Sequence, residues 1–226
     1  NMWRLKAQKE EAGNPYPTHG LGPVAQILNI HRGDRMATLV SMSNAQKGMH
    51  LYAAEHDIAG EDTARIDMGD MNTTLIRTAK GKTIMIQHDV TSPRPYNRIH
   101  MVSGTKGFAQ KYPLTGIALE PNAHEFVSQQ TLDSLLKVYE HPFCKEIGEK
   151  ARKVGGHGGM DFIMDYRLIH CLKNGLPLDM DVYDAAEWSC LVELTDYSVR
   201  NGSVPVQIPD FTRGEWDKLQ GLTFAE

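Results

Sequence analysis

The stretch that indicates the fold class is MNTTLIRTAKGKTIMIQH, at residues 71–88. Its two halves, 71–77 and 83–88, place apolar and β-branched residues in alternation with polar ones, a pattern typical of strands. Residues 79–82 read Ala-Lys-Gly-Lys and predict the turn between the halves. The stretch therefore predicts a β-hairpin, and a connection this short requires antiparallel pairing.

Short strands are predicted on both sides of this hairpin. They cover residues 35–41, 98–103, a piece that begins at Phe108, and 117–119. An extended piece is expected at 204–208, and residues 1–13 read as an edge strand or a lead-in. Because turns of hairpin length separate most of these pieces, we expect a largely antiparallel sheet.

Helical periodicity dominates the last part of the chain. The helices predicted there cover residues 131–139, 143–153, 160–173 and 182–200, the last with Asp181 as its cap. Two earlier helices are expected, at 24–29 with Pro23 in the first turn and from a cap at Asn44 to about Glu55. Strands followed by helices predict an α+β fold, with helices on one face of the sheet and no Rossmann domain. We expect one domain over 1–226, with the other sheet face left open for a partner domain or a second subunit.

Composition narrows the class of protein. The chain has 226 residues, of which 41% are hydrophobic and 23% charged, as in ordinary globular domains. A net charge of −4 with dispersed basic residues argues against a nucleic-acid partner. No run approaches the roughly 20 apolar residues of a membrane span. The histidines and the three cysteines show no metal-site spacing, and Cys171 and Cys190 read as small buried thiols.

A possible site lies near the start, where residues 14–23 read NPYPTHGLGP. Prolines and glycines specify backbone shape here, and they surround Tyr16 and His19, whose phenol and imidazole can handle protons on a polar substrate. The alternative is a pair of ordinary loop residues with satisfied hydrogen bonds. Residues 20–25 also match G-x-G-x-x-A, but the preceding segment is too rich in proline to be a central strand. We therefore reject a dinucleotide fingerprint here.

Two later loops carry further candidates. Tyr96 stands between Arg94 and Arg98 and is either a surface aromatic or a residue that stacks on a polar ring such as a sugar. His157 lies in the run Gly155–Gly159 and precedes Asp161. That run is either a linker or a backbone that approaches a ligand or another subunit closely.

The chain resembles glycoside hydrolase family 109 in three motifs that span nearly its whole length. These motifs are YPTHGLGP at 16–23, SPRPY at 92–96 and GGHGGMD at 155–161. The resemblance implies an α-N-acetylgalactosaminidase of the wider group that includes glucose–fructose oxidoreductase, inositol dehydrogenase and rhizopine-catabolism proteins. Only the family's C-terminal domain corresponds to this chain, so we expect a piece of a longer protein whose NAD-binding domain is absent here.

The same resemblance implies an unusual mechanism and a set of site residues. Family members hold NAD without net consumption; oxidation at C3 of the sugar permits elimination of the C1 group, water adds, and the hydride returns. By motif match, His19 is the expected catalytic residue, and the tyrosine proposed as the C2 base lies outside this chain. The expected sugar contacts are Arg4, Tyr16, Pro17, Thr18, His19 and Tyr96, with His157 and Asp161 in a possible site loop.

The expected substrate is therefore a terminal GalNAc glycan or glycoside, and the isolated fragment is expected to be inactive. The alternatives are a domain of a sugar dehydrogenase from the same superfamily, or a non-catalytic assembly domain. Localisation is unknown from the sequence; export to the periplasm is implied by the resemblance, and a cytoplasmic location stays open. The expected homo-oligomer would form through the sheet face.

Overall fold

The computed structural model describes residues 5–56, 58 and 66–218. Packing divides the chain into two compact units. The first contains the described residues up to Pro95 and those from Val182 onward, and the second runs from Tyr96 to Asp181. The first unit is therefore discontinuous in sequence. The single domain over 1–226 stays a prediction.

The strands are β1 (Met36–Ser43), β2 (Met71–Thr78), β3 (Thr83–Asp89), β4 (Met101–Ser103), β5 (Gly107–Gln110), β6 (Gly116–Leu119) and β7 (Val206–Gln207). The α-helices are α1 (Leu5–Glu10), α2 (Thr18–Ile27), α3 (Gly48–Glu55), α4 (Gln129–Val138), α5 (Pro142–Val154), α6 (Met160–Asn174), α7 (Val182–Ser189) and α8 (Leu191–Arg200). A short 3₁₀ helix, His157–Gly159, precedes α6. Antiparallel sheets with helices confirm the α+β prediction.

The first unit is built on a four-stranded antiparallel sheet in the order β3–β2–β1–β7. The predicted hairpin is confirmed, with Met71 opposite Asp89 and Arg77 opposite Thr83. The Thr78 N–H donates to the Lys82 carbonyl at 2.9 Å across its turn. Alternation along β2 and β3 sends every second side chain to the same face, so the sequence pattern defines one buried face.

The buried face of this sheet holds the core of the first unit. Ile76, Ile84 and Ile86 on β2 and β3 pack in one cluster with Leu21 of α2 and Leu191 of α8. Each such side chain stabilises the unit by about 1.5–3 kcal/mol through burial. The opposite face is exposed and partly apolar; it carries Met42, Leu75 and Met85. Among the described residues of this unit, the helices pack on one face of the sheet, as the sequence predicts.

The second unit contains a three-stranded antiparallel sheet in the order β4–β5–β6 and the helix pair α5 and α6. Phe143 is buried at the start of α5 and forms the centre of the helix contact. Its ring meets those of Tyr166 and His170 edge-on, at centroid distances of 5.4 and 5.0 Å. The Arg167 guanidinium lies 5.4 Å from the same ring centroid and also pairs with Asp179.

Two predictions near the start of the chain are wrong. Residues 5–10 form helix α1, so the edge strand that was one of the two alternatives there is not observed. Asn44 does not cap α3, which begins at Gly48 with Asp70 accepting the Gly48 N–H. The Asn44 side chain instead accepts the Met71 N–H, at the point where β2 starts. The helix start thus uses the Asp70 carboxylate, 22 residues away from Gly48 in sequence, as its acceptor, and not the nearby Asn44.

The long helix predicted over 182–200 is in fact two helices, α7 and α8, that meet at Cys190. The Cys190 thiol donates to the Glu187 carbonyl at 3.2 Å, the acceptor that the Leu191 N–H would use in a continuous helix.

No helix within the described ranges is long and apolar enough to cross a membrane.

Candidate functional site

Tyr16 and His19 are brought together at the start of α2. The Tyr16 hydroxyl lies 3.4 Å from His19 Nε2, and the ring centroids are 4.7 Å apart. Both side chains are exposed, so a ligand in solution can reach them.

The segment that was expected to be a loop is helical from Thr18 onward. The helix predicted over 24–29 therefore begins six residues earlier than expected.

An Asx-turn leads into this helix. The Asn14 side-chain oxygen accepts the Tyr16 N–H at 2.9 Å, which fixes the backbone across Pro15. Pro17 then takes the N-cap position with φ of −73°, close to helical, and its carbonyl accepts the Leu21 N–H. Proline favours the start of a helix because its φ is preset and its missing N–H is not needed there. The proline-rich stretch thus initiates a helix.

Helix α2 is seated on the core by its small residues. Gly22 faces the Trp188 ring, and a Cβ at this position would lie 3.0–3.4 Å from three ring carbons. Leu21 and Ala25 are buried beside it. The G-x-G-x-x-A match of residues 20–25 therefore belongs to a packed helix and does not form a strand-to-helix turn around a diphosphate.

The far end of α2 is held by the β2–β3 hairpin. Lys82 Nζ donates to the Leu28 carbonyl at 2.9 Å, and it also lies 3.3 Å from a carboxylate oxygen of Asp34. Asp34 is fully buried and accepts the N–H groups of Arg35 and Lys80. Burial alone would raise the pKa of Asp34, but hydrogen bonds from Thr78, Lys80 and Arg35 lower it below its ordinary value of 3.8.

The SPRPY loop starts from a buried carboxylate. Asp89, at the end of β3, accepts the N–H groups of Thr91 and Ser92 at 3.2 and 3.0 Å. Its other oxygen lies 3.4 Å from Arg94 Nε. Burial acts to raise the pKa of Asp89, yet the hydrogen bonds and the Arg94 charge lower it overall. The loop is therefore attached to β3 by an ionised Asp89 at neutral pH.

Tyr96 is in the second unit and is 74% exposed. The Arg98 Nε donates to the Tyr96 hydroxyl, and the guanidinium carbon lies 5.7 Å from the ring centroid. An aromatic face and a cation are thus presented together to solvent. This pairing suits contact with a polar ring. The strand expected over 98–103 is shorter in the structure and covers Met101–Ser103.

His157 and Asp161 form a pair on the glycine-rich loop of the second unit. His157 Nδ1 lies 2.9 and 3.0 Å from the two carboxylate oxygens of Asp161, and the imidazole is 71% exposed. Positive φ values run through Gly155–Gly159, including 47° at His157. Only a run dominated by glycine adopts such a backbone at low cost, so the glycines are needed to project the histidine.

The structure thus groups the predicted site residues within each unit. Tyr16, Pro17, Thr18 and His19 are consecutive at one helix end in the first unit. Tyr96 and the His157–Asp161 pair belong to the second unit. Arg4 lies outside the described residues.

Two acidic residues of α7 belong to a buried ionic cluster. Asp184 accepts two hydrogen bonds from the Arg32 guanidinium at 3.1 and 2.8 Å. His31 Nδ1 lies 3.5 Å from Asp184 and 3.4 Å from Glu187, and all four residues are buried. The sequence signal was the spacing of acids on α7 at i and i+3, whose partners more than 150 residues away could not be seen.

The expected buried thiols are found in part. Cys171 is buried in α6, whereas Cys190 is half-buried at the junction of α7 and α8. Desolvation and the neighbouring Glu187 raise the pKa of Cys190 to about 12. A thiol with this pKa stays protonated at neutral pH and is a poor nucleophile.

Comparison with known proteins places these motifs in a family. Residues 1–218 match the family model described as glycosyl hydrolase 109, C-terminal domain. The alpha-N-acetylgalactosaminidase of Bacteroides fragilis is 59% identical, over 96% of this chain and 52% of its own length. A glycosyl hydrolase family 109 protein of Porphyromonas gingivalis is 52% identical, over 100% of this chain and 51% of its own length.

A third relative is glycosyl hydrolase family 109 protein 1 of Bacteroides thetaiotaomicron, which is 50% identical over 100% of this chain and 51% of its own length. The chain therefore spans about half the length of the curated relatives that it matches. With a family model over nearly all of its length and relatives at 50–59% identity, the chain belongs to glycosyl hydrolase family 109, as its C-terminal domain.

Proposed function

We propose that the full-length protein hydrolyses terminal α-N-acetylgalactosaminides and that this domain holds the sugar. The observation that carries the proposal is the Tyr16–His19 pair, with 3.4 Å between the hydroxyl and Nε2, at an exposed helix start. The relative from Bacteroides fragilis, whose name states this activity, is 59% identical. Its match covers the segment in which the pair lies.

The two side chains have different roles in this proposal. Neutral imidazole accepts a proton near pH 7, so His19 takes or polarises the proton of a sugar hydroxyl. Tyr16 orients the same sugar by hydrogen bonding, and its ring packs against His19. Thr18, which is half-buried, contacts the sugar at the helix start, while the buried Pro17 shapes the backbone behind it. Arg4 supplies a further polar contact in this proposal.

Tyr96 contributes an exposed ring and hydroxyl to sugar binding in this proposal. The adjacent Arg98 keeps the hydroxyl hydrogen-bonded. The His157–Asp161 pair is a second proton-handling group. With Nδ1 directed at the carboxylate, His157 offers its Nε2 to a substrate as an acid or a base.

NAD dependence is also part of the proposal. When bound, NAD would supply reversible hydride transfer, which is consistent with a site built on tyrosine and histidine and not on paired carboxylates. The 20–25 match does not fit that cofactor, because its glycines are inside α2 and Gly22 packs against Trp188. In this proposal the cofactor is bound mainly by residues outside this chain.

The test uses the full-length protein with an aryl α-N-acetylgalactosaminide. His19→Ala is expected to lower kcat/KM by about 10²–10⁴-fold, the usual contribution of a positioned acid or base. The matched control is His56→Ala, which removes an exposed histidine from the stacked Tyr52–His56 pair of α3 and should leave kcat/KM unchanged. A near-normal His19→Ala enzyme would exclude the role given to His19.

Two further readouts separate the alternatives. Release of the aryl group without accumulation of NADH supports the hydrolase, whereas steady NADH formation from a free sugar would favour the dehydrogenase. The isolated 226-residue chain is expected to show no activity and no NAD binding by calorimetry. Tight binding of NAD to the chain would contradict the placement of the cofactor site.

The exposed face of the four-stranded sheet is the proposed oligomer contact. Leu75 lies opposite both Val40 and Met85 in register, so apolar side chains form a row across three strands. Leu75 and Met85 are 55% and 56% exposed, and a second copy of this face would bury both. Leu75→Lys is expected to shift the protein to a smaller species in analytical ultracentrifugation, whereas Lys80→Ala at the hairpin turn should not. An unchanged sedimentation profile for Leu75→Lys would rule out this face.

A further inference from the structure

The segment that leads into helix α2 is attached to helix α8 by two hydrogen bonds, each from a backbone N–H to a side chain of α8. The Asn14 N–H donates to Thr195 Oγ1 at 2.9 Å, and Asn14 and Thr195 are 1% and 0% exposed. The Ala12 N–H donates to Asp196 Oδ1 at 2.6 Å. Two successive α8 side chains therefore hold the residues on either side of Gly13.

Gly13 shows how closely the segment approaches the helix. A Cβ built there would lie 2.3 Å from the Asp196 nitrogen and 2.5 Å from Thr195 Oγ1. No side chain fits in this space without a backbone shift, so the segment lies directly on α8. From this contact the Asn14 side chain reaches forward to the Tyr16 N–H.

We infer that Thr195 is a positioning residue for the Tyr16–His19 pair, an inference that rests on the proposed function of that pair. The hydroxyl accepts the Asn14 N–H and donates to the Val192 carbonyl at 3.2 Å. Without the hydroxyl, a buried N–H loses its acceptor. The segment can recover that hydrogen bond only by moving toward water, and the Asx-turn transmits the movement to Tyr16.

Ser198 provides a matched control on the next turn of α8. Its side chain is also 0% exposed and accepts a backbone N–H at 2.9 Å, in this case from Ser41 of β1. The Ser198 hydroxyl donates to the Val204 carbonyl at 2.7 Å. Ser198 therefore makes the same kind of hydrogen bond to the sheet that Thr195 makes to the motif.

The experiment compares Thr195→Val, Thr195→Ser and Ser198→Ala in the full-length protein. Thr195→Val and Ser198→Ala are expected to lower Tm by similar amounts, because each removes one buried hydroxyl. Thr195→Val alone is expected to lower kcat/KM on the aryl glycoside, by about tenfold, through misplacement of the pair. Thr195→Ser restores the hydroxyl and should restore kcat/KM. Equal losses of activity in Thr195→Val and Ser198→Ala would reduce Thr195 to a general stabilising role and overturn the inference.

A second readout does not depend on activity. Hydrogen exchange followed by mass spectrometry should show faster exchange of the peptide that contains the Asn14 and Tyr16 amides in Thr195→Val, by about tenfold, and no change in Ser198→Ala. Unchanged exchange of that peptide in Thr195→Val would overturn the inference even if activity fell. If the wild-type protein released no aryl group, the proposed function would fail, while the exchange result would still decide whether Thr195 positions the motif.

Discussion

His19 and His157 are both exposed histidines beside a polar partner, but their backbones are supported in opposite ways. The helix that begins beside His19 is packed against Trp188 through Gly22 and held at its far end by Lys82. His157 stands among glycines with positive φ. Cβ atoms at Gly155 and Gly158 would meet nothing within 4 Å, whereas one at Gly159 would lie 2.6 Å from the Ala151 backbone. One imidazole therefore belongs to a helix packed on the core, while the other depends on a run of positive φ values with open space at Gly158.

The largest effect is expected from a substitution that disturbs the close packing on the His19 side. Gly13→Ala would place a methyl group 2.3 Å from a backbone nitrogen of α8, so it is expected to cost about 3 kcal/mol of unfolding free energy. Activity should fall with it. Urea denaturation and kcat/KM measure the two effects.

Gly158→Ala is the matched control on the His157 side. Space is open there, and only the positive φ of 72° is unfavourable, which costs about 1 kcal/mol. A Gly13→Ala protein as stable as Gly158→Ala would contradict the claim that packing distinguishes the two sites.

A smaller effect is expected when the His157 imidazole itself is removed. His157→Ala should lower kcat by about tenfold or more and change KM little, because a proton-handling group acts mainly after the substrate is bound. His124→Ala, which removes another exposed histidine of the second unit, serves as the control and should be neutral. Asp161→Asn should give an intermediate kcat, since the carboxylate only orients the imidazole. An unchanged kcat in His157→Ala would make the glycine loop a structural element only.

The smallest effect is expected from the loss of the Asp34 charge, near the C-terminal end of α2, when the pH is lowered. The pKa of Asp34 is lowered in the folded state, so its carboxylate contributes stability that is full above about pH 4 and is lost as pH falls through the lowered value. Asp34→Asn is expected to cost about 1 kcal/mol at pH 7. The difference from wild type should shrink below pH 4.

Denaturant unfolding at pH 7 and at pH 3 measures this difference. Asp133→Asn, on an exposed face of α4, should change stability at pH 7 by less than about 0.5 kcal/mol. A constant gap between wild type and Asp34→Asn at both pH values would show that the Asp34 charge does not support the hairpin contact.

Local sequence patterns predicted much of the fold. Alternation and the Ala-Lys-Gly-Lys turn predicted the hairpin of β2 and β3, and the helical period predicted the ends of α4, α5 and α6 to within two residues. These elements were predictable because their side-chain pattern and their backbone hydrogen bonds are both local. The three family motifs likewise indicated glycosyl hydrolase family 109, which the family model confirms.

The sequence indicated which side chains are candidates for the chemistry, whereas the support of each side chain depends on segments far away in the chain. Proline content suggested a stiff loop, yet burial of Leu21 and Ala25 against the core makes that stretch a helix. The Thr195 hydroxyl lies 181 residues from the Asn14 N–H that it accepts. The physical reason is that a buried hydrogen bond or a close backbone contact depends on which distant segments pack together, and no local pattern of residues records that choice.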